Sequence, residues 1–177
     1  MYDLHSILIQ LKKEDTPLHG VMVRCVRCFY QWLDPTLWEG SALFELWAQE
    51  LELIYGDLRQ RLSPNAKTDA GSLGDRFGFD TPPELPRLLQ SIQTFYSVLI
   101  KLIAWNTLRG ATPEPPLTEL LSGRAFVNRG IRNFCGDDWY IWPLDIWDPA
   151  LETQCEELRA CLKSFDTCPE GSTLSPD

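Results

Sequence analysis

Apolar positions recur at intervals of three and four along most of this chain, which is the spacing of helices with one buried face. Residues 4 to 12 show it first in Leu-His-Ser-Ile-Leu-Ile-Gln-Leu-Lys, enough for a short helix. A second run, Leu18 to Leu33, places Val21, Val23, Cys25, Val26, Phe29, Tyr30 and Leu33 on the apolar side. Asp34-Pro35 then reads as an N-cap followed by a proline at the first helical position. From Leu37 to about Leu62 the residues Leu43, Leu46, Trp47, Leu51, Ile54, Tyr55 and Leu58 predict a third amphipathic helix. Residues 63 to 86 break the pattern. Ser63-Pro64-Asn65, Gly71, Gly74, Gly78 and Pro82-Pro83 predict a long central loop, with Phe77 and Phe79 available to pin it.

The pattern resumes at Glu84-Leu85 and runs to Leu108. Its second half is apolar nearly all round, with Lys101 as the only charge, so this helix belongs at the centre of a bundle. Gly110 and Pro113-Glu-Pro-Pro116 end it, and a helical turn at Leu117 to Leu121 follows. Residues 120 to 147 then lose periodicity. Three of the seven tryptophans (Trp139, Trp142, Trp147) fall within nine residues there, beside Phe134 and Tyr140, and Gly123, Gly130 and Gly136 punctuate the run. That composition predicts an irregular plug seated on the helices. Asp148-Pro149 marks a last helix start, with Leu151, Cys155, Leu158, Leu162 and Phe165 on its apolar side. No strand alternation is convincing. The expected class is all-α: an irregular bundle over residues 1–166 with a long loop at 63–86, then a loose Ser/Pro/Gly-rich tail at 167–177.

Composition narrows the function classes. The 177 residues are 44% hydrophobic, ample for one domain with a core. No run of 18 apolar residues exists, so no transmembrane helix is expected. The N-terminus carries Asp3 where a secretory signal would be basic, and a cytoplasmic location is expected. The net charge of −9 is uneven: residues 134–177 hold 2 Lys/Arg against 10 Asp/Glu, leaving 14 against 15 in the rest. Without a basic face, strong direct binding to duplex DNA is not expected.

Six cysteines in a chain of this character read as reduced thiols, and Cys25 and Cys28, three apart, read as small hydrophobes sharing a buried helix face. Zinc would need a second ligand pair, and the only histidines are His5, in the first helix, and His19, read as part of a Leu-His-Gly turn. No metal ligands are therefore assigned. Neither histidine is poised beside a nucleophile, so no catalytic residue is assigned. Asp137, Asp138, Asp145 and Asp148 are the best carboxylate group, but loop charges and helix caps account for them. Asp148-Pro149-Ala150 echoes the opening of a cofactor-binding loop, yet no glycine follows, so no cofactor-binding residue is assigned. The tryptophans read as core fillers and not as base-stacking platforms, given the acidic neighbours.

Three segments together resemble the N-terminal, pre-catalytic region of adenine-specific N6 DNA methyltransferases of restriction-modification and phage-defence systems. They are Phe44 to Gly56, Thr94 to Ala104, and the most specific, Gly123-x-x-Phe126 with Gly130-Ile131-x-Asn133-Phe134 and Asp138-x-Tyr140-x-Trp142. Trp147-Asp148 and a helix closing in Phe165-Asp166 follow, so the resemblance spans roughly residues 40 to 177. It implies a helical module whose partner is a methyltransferase catalytic domain or subunit. That partner would bear the S-adenosylmethionine site and the [DNS]-Pro-Pro-[FY] tetrapeptide, and DNA would be contacted only indirectly. Neither motif occurs here, since Pro82-Pro83 and Pro115-Pro116 precede Glu and Leu. Two other readings compete: a stand-alone helical interaction subunit of a defence complex, and an acidic DNA mimic built on the last third of the chain.

Overall fold

The computed structural model describes residues 4–34, 44–50, 66–108, 110, 112–135 and 138–165, with side chains described throughout these except at 66–70, 138 and 139. The described residues are helical and contain no strand, as the periodicity predicts. The predicted cap at Asp34-Pro35, most of the 37–62 helix and the 167–177 tail lie outside the described residues. Within that third helix, residues 44–50 are helical and Trp47 is buried.

Helix α1 (Leu4–Lys12) packs on α2 (Pro17–Trp32), which opens on Thr16: its hydroxyl accepts the His19 N–H at 3.2 Å, and Pro17 takes the first helical position. One predicted detail changes here. His19 is not in a turn but in the first turn of α2, with its side chain buried. The N-cap at Thr16, upstream of the Leu-His-Gly triplet, starts the helix early enough to include it.

The larger correction concerns residues 63–86. Instead of one loop, they contain α3 (Ala66–Arg76). The glycines read as loop punctuation include Gly74, which lies inside this helix. A Cβ there would sit 2.5 Å from Pro83 Cδ. Its small size lets the Pro82-Pro83 segment fold back on the helix, so it serves close packing. Phe77, just beyond α3, is buried, and Phe79 meets the Tyr30 ring edge-on at 4.8 Å under the Arg27 guanidinium. Both phenylalanines pin the segment as expected.

Helix α4 (Leu85–Leu108) is the axis of the fold, touching α2, two short helices α5 (Leu117–Leu121) and α7 (Asp138–Ile141), and the last helix α8 (Pro149–Lys163). By length and composition it could cross a membrane, with mean hydropathy 1.2 over an 18-residue window. A bundle core helix meets the same test, and 56% of that window is buried. The described residues of the irregular segment expected at 120–147 contain α6 (Arg124–Val127), α7 and a 3-10 turn at Trp142–Leu144. Helix α8 starts as predicted, the Asp148 carboxylate accepting the Leu151 N–H at 2.8 Å. Leu151, Cys155, Leu158, Leu162 and Phe165 are all buried, facing α2 and α4.

Candidate functional site

Most of the residues in the most specific of the resembling segments pack along α4 between Gln93 and Trp105. Gly123 precedes α6 with φ of +79°, a left-handed conformation in which an L side chain is strained. A Cβ on it would lie 2.2 Å from the Phe134 carbonyl oxygen. Conformation and space both demand glycine at this point. Four residues of helix later, Gly130 (φ +77°) closes the segment. Its N–H bonds to Val127 O at 2.9 Å and the Ile131 N–H bonds to Phe126 O at 3.1 Å, the paired bonds of a Schellman motif. That turn sends the chain back so that Phe134 meets Phe126, ring centres 4.5 Å apart. Phe126 is fully buried and also takes the Trp105 ring edge-on at 5.9 Å.

Trp142 is the deepest piece of the plug, 1% exposed. Its indole N–H donates to Thr94 Oγ1 at 2.9 Å, and the Thr94 hydroxyl donates to Gln90 O at 2.8 Å. Its ring also meets Phe29 of α2 edge-on at 5.8 Å. One side chain thus ties the irregular segment to α4 and α2. Tyr140 donates its hydroxyl to Gln93 Oε1 at 2.7 Å, again on α4. Asn133 is exposed beside this contact, and Asp138 opens α7.

Two buried cations complete the frame, and neither was singled out from sequence. Lys101, 2% exposed, donates from Nζ to Leu121 O at 2.7 Å, satisfying a carbonyl at the C-terminal end of α5. Arg159 donates to Pro115 O at 3.0 Å while pairing with Glu156, which fastens the proline-rich connector to α8. Arg129 does similar work outside, bonding Leu108 O and Thr112 Oγ1 over the Trp105 face. A lone charge in an apolar run was the only available signal for Lys101.

The chemical inventory is short. Cys25 and Cys155 are buried where α2 and α8 meet, and Cys28 lies half-buried beside them. Desolvation pushes the Cys28 thiol up to about 11, with Asp148 adding to it, and the Cys155 thiol up to about 12, with Cys28 next in effect. Cys25 is raised as well, by burial first and then by Cys155 and Cys28. Thiols held neutral in this way are poor nucleophiles, so they act as the small hydrophobes their spacing implies. Of the predicted carboxylate group, Asp145 ends the 3-10 turn and Asp148 caps α8, while Asp137 and the Asp138 side chain lie outside what the structure describes. Among the described residues no three His, Cys, Asp or Glu side chains are grouped to hold a metal ion. Comparison with family models, with curated proteins and with solved structures gives no match to this chain.

Proposed function

We propose that this chain is a non-catalytic helical module of a DNA adenine-N6 methyltransferase system, packing on the catalytic domain or subunit and orienting it. The observation that supports this most is the joint packing of the resemblance residues. Gly123, Phe126, Gly130, Ile131 and Phe134 build one turn, and Tyr140 and Trp142 lock it to α4 through Gln93 and Thr94. A motif recurring at those intervals for structural reasons would need these residue types.

Isothermal titration of the purified chain with S-adenosylmethionine tests this reading. No heat of binding is expected from the chain alone. The coding sequence downstream of Asp177, or a neighbouring frame, is expected to supply the glycine-rich cofactor loop and a Pro-Pro-Tyr or Pro-Pro-Phe tetrapeptide. Saturable cofactor binding by these 177 residues would sink the proposal.

A stand-alone interaction subunit is the second reading, and the exposed apolar side chains of α1 and α4 favour it. The acidic DNA mimic has less support. Glu157 pairs with Arg24, Glu156 with Arg159 and Glu114 with Lys163, so part of the negative charge is answered within the fold.

A further inference from the structure

The second half of α4 is apolar nearly all round and belongs at the centre of the bundle by its pattern, yet one stripe of the helix faces solvent. Tyr96 is 42% exposed and Ile100 54%. Leu4 and Leu8, one turn apart on α1, are exposed to a similar degree. Two shallow depressions connect Leu8 with Tyr96 and Ile100, and Leu4 lies one turn before Leu8. One, of about 240 Å³, runs from Leu8 past Met22 and Ile92 to Tyr96. The other, of about 370 Å³, runs from Tyr96 past Ser97 and Ile100 to Phe134 and Tyr140. Tyr96 lines both, so the strip is continuous across the two helices. Contiguous exposed apolar surface of this kind marks an interaction face.

Charge identifies the partner. The chain as a whole carries −9, but neither α1 nor α4 contains a single carboxylate, and among the described residues none lines either depression. Lys12 and Arg76 stand exposed at the rim of the first depression. Neither is in an ion pair with a described carboxylate. We infer that the strip formed by Leu4 and Leu8 of α1 with Tyr96 and Ile100 of α4 is a docking groove for an acidic amphipathic helix of a partner protein. Leu8 and Lys12 lie one turn apart on α1, as do Tyr96 and Ile100 on α4, the spacing that receives i, i+3/i+4 and i+7 anchors of a partner helix. Acidic positions flanking those anchors would meet Lys12 and Arg76. A second copy of this chain fits less well, because a symmetric pair would set the described residues of this surface, which include no carboxylate, against themselves and leave Lys12 and Arg76 unanswered. The inference concerns the surface and does not depend on the partner being a methyltransferase.

The test uses two fluorescein-labelled, stapled model helices of about 18 residues, each about five turns long. One carries Leu at alternating three- and four-residue spacing with Glu elsewhere, and the other has Lys for every Glu. Fluorescence anisotropy with the full chain is expected to show the Glu helix binding at least about tenfold tighter than the Lys helix. The preference is expected to shrink as salt is raised from about 50 to about 300 mM. Ile100→Glu and Leu8→Glu each remove binding without changing the circular dichroism spectrum, whereas Val127→Glu, an exposed apolar position off the strip, leaves it intact. The double variant Lys12→Glu/Arg76→Glu reverses the preference toward the Lys helix. Equal binding of the two helices, or no binding of either, overturns the inference. So does a dimer in sedimentation that Ile100→Glu dissociates, which would assign the strip to self-association. Co-flotation with phosphatidylglycerol vesicles that Ile100→Glu abolishes would assign it to a membrane and overturn it as well.

Discussion

The α2–α8 contact and the 117–147 segment are held together by different physics. Between α2 and α8 the work is done by periodic burial: Cys25 and Phe29 on one helix, Leu151, Cys155, Leu158 and Leu162 on the other. A regular helix satisfies its own backbone, so side chains there need only be apolar and of suitable volume. Residues 117–147 cannot rely on that. Their backbone turns repeatedly, and it is fixed by single interactions: Gly123 under Phe134 O, Lys101 on Leu121 O, the Trp142 indole on Thr94. The regular interface should tolerate substitution in proportion to volume, and the irregular segment should fail at particular atoms.

The largest expected effect is at the junction of the two regions. Trp142→Ala empties a site shared by Phe29, Thr94 and α7, and should destabilise the fold by about 3–5 kcal/mol in urea denaturation. Trp142→Phe keeps most of the volume but removes the N–H that the buried Thr94 Oγ1 accepts, and should cost less, about 1–3 kcal/mol. If Trp142→Phe costs nothing measurable, shape alone matters there and the contrast drawn above is wrong.

Next is Gly123→Ala, a single methyl group. Left-handed strain of about 1–2 kcal/mol adds to a clash with backbone of comparable size, giving roughly 2–4 kcal/mol. Gly130→Ala tests the comparison within the segment. It has a similar φ but nothing within 4 Å of an added Cβ, so only the strain is expected. A Gly123→Ala cost no greater than that of Gly130→Ala would show that the close approach to Phe134 can relax.

The thiols allow a pH experiment on the regular side. Their folded values lie above the ordinary value of 9.0, at about 11 for Cys28 and about 12 for Cys155. The unfolded chain therefore releases these protons first as pH rises, and their contribution is complete below about pH 9. It is lost progressively between about pH 9 and 12, at no more than about 1.4 kcal/mol per pH unit for each fully buried thiol. Cys155→Val should flatten this decline while keeping the interface apolar. An unchanged slope would place the alkaline loss elsewhere.

The smallest effect is expected on the surface. Arg24 and Glu157 bridge α2 to α8 at 2.8 Å, but both are about half exposed. Arg24→Ala should change stability by no more than about 0.5 kcal/mol, measured by thermal melting at low and high salt.

How well these regions could be read from sequence follows the same division. Helices α1, α2, α4 and α8 announce themselves because a 3.6-residue period is local information, and proline after Thr16 or Asp148 marks where two of them start. Helix α3 does not, because glycine carries two messages. At Gly71 and Gly74 it looks like a turn signal, while Gly74 is small so that Pro83 can approach. The plug was legible as a cluster of aromatic and glycine residues, but which aromatic is buried was not. Nor could a lone lysine in an apolar run reveal that its ammonium finds the end of α5. The outward stripe of α4 was hidden for a related reason, since its apolar residues look alike whether or not a neighbour covers them.

The order of apolar and polar residues alone determined that the described part of this protein is helical, where its main helices run, and that Cys25, Cys155, Trp47 and Trp105 belong to a core. Only the tertiary structure decided which face of α4 stays open, which glycine is indispensable, and which cation closes which helix end. Helical period depends on neighbours a few residues away. Coverage, close approach and carbonyl capping depend on segments tens of residues apart in the chain, and the energy that selects among them exists only once they have met.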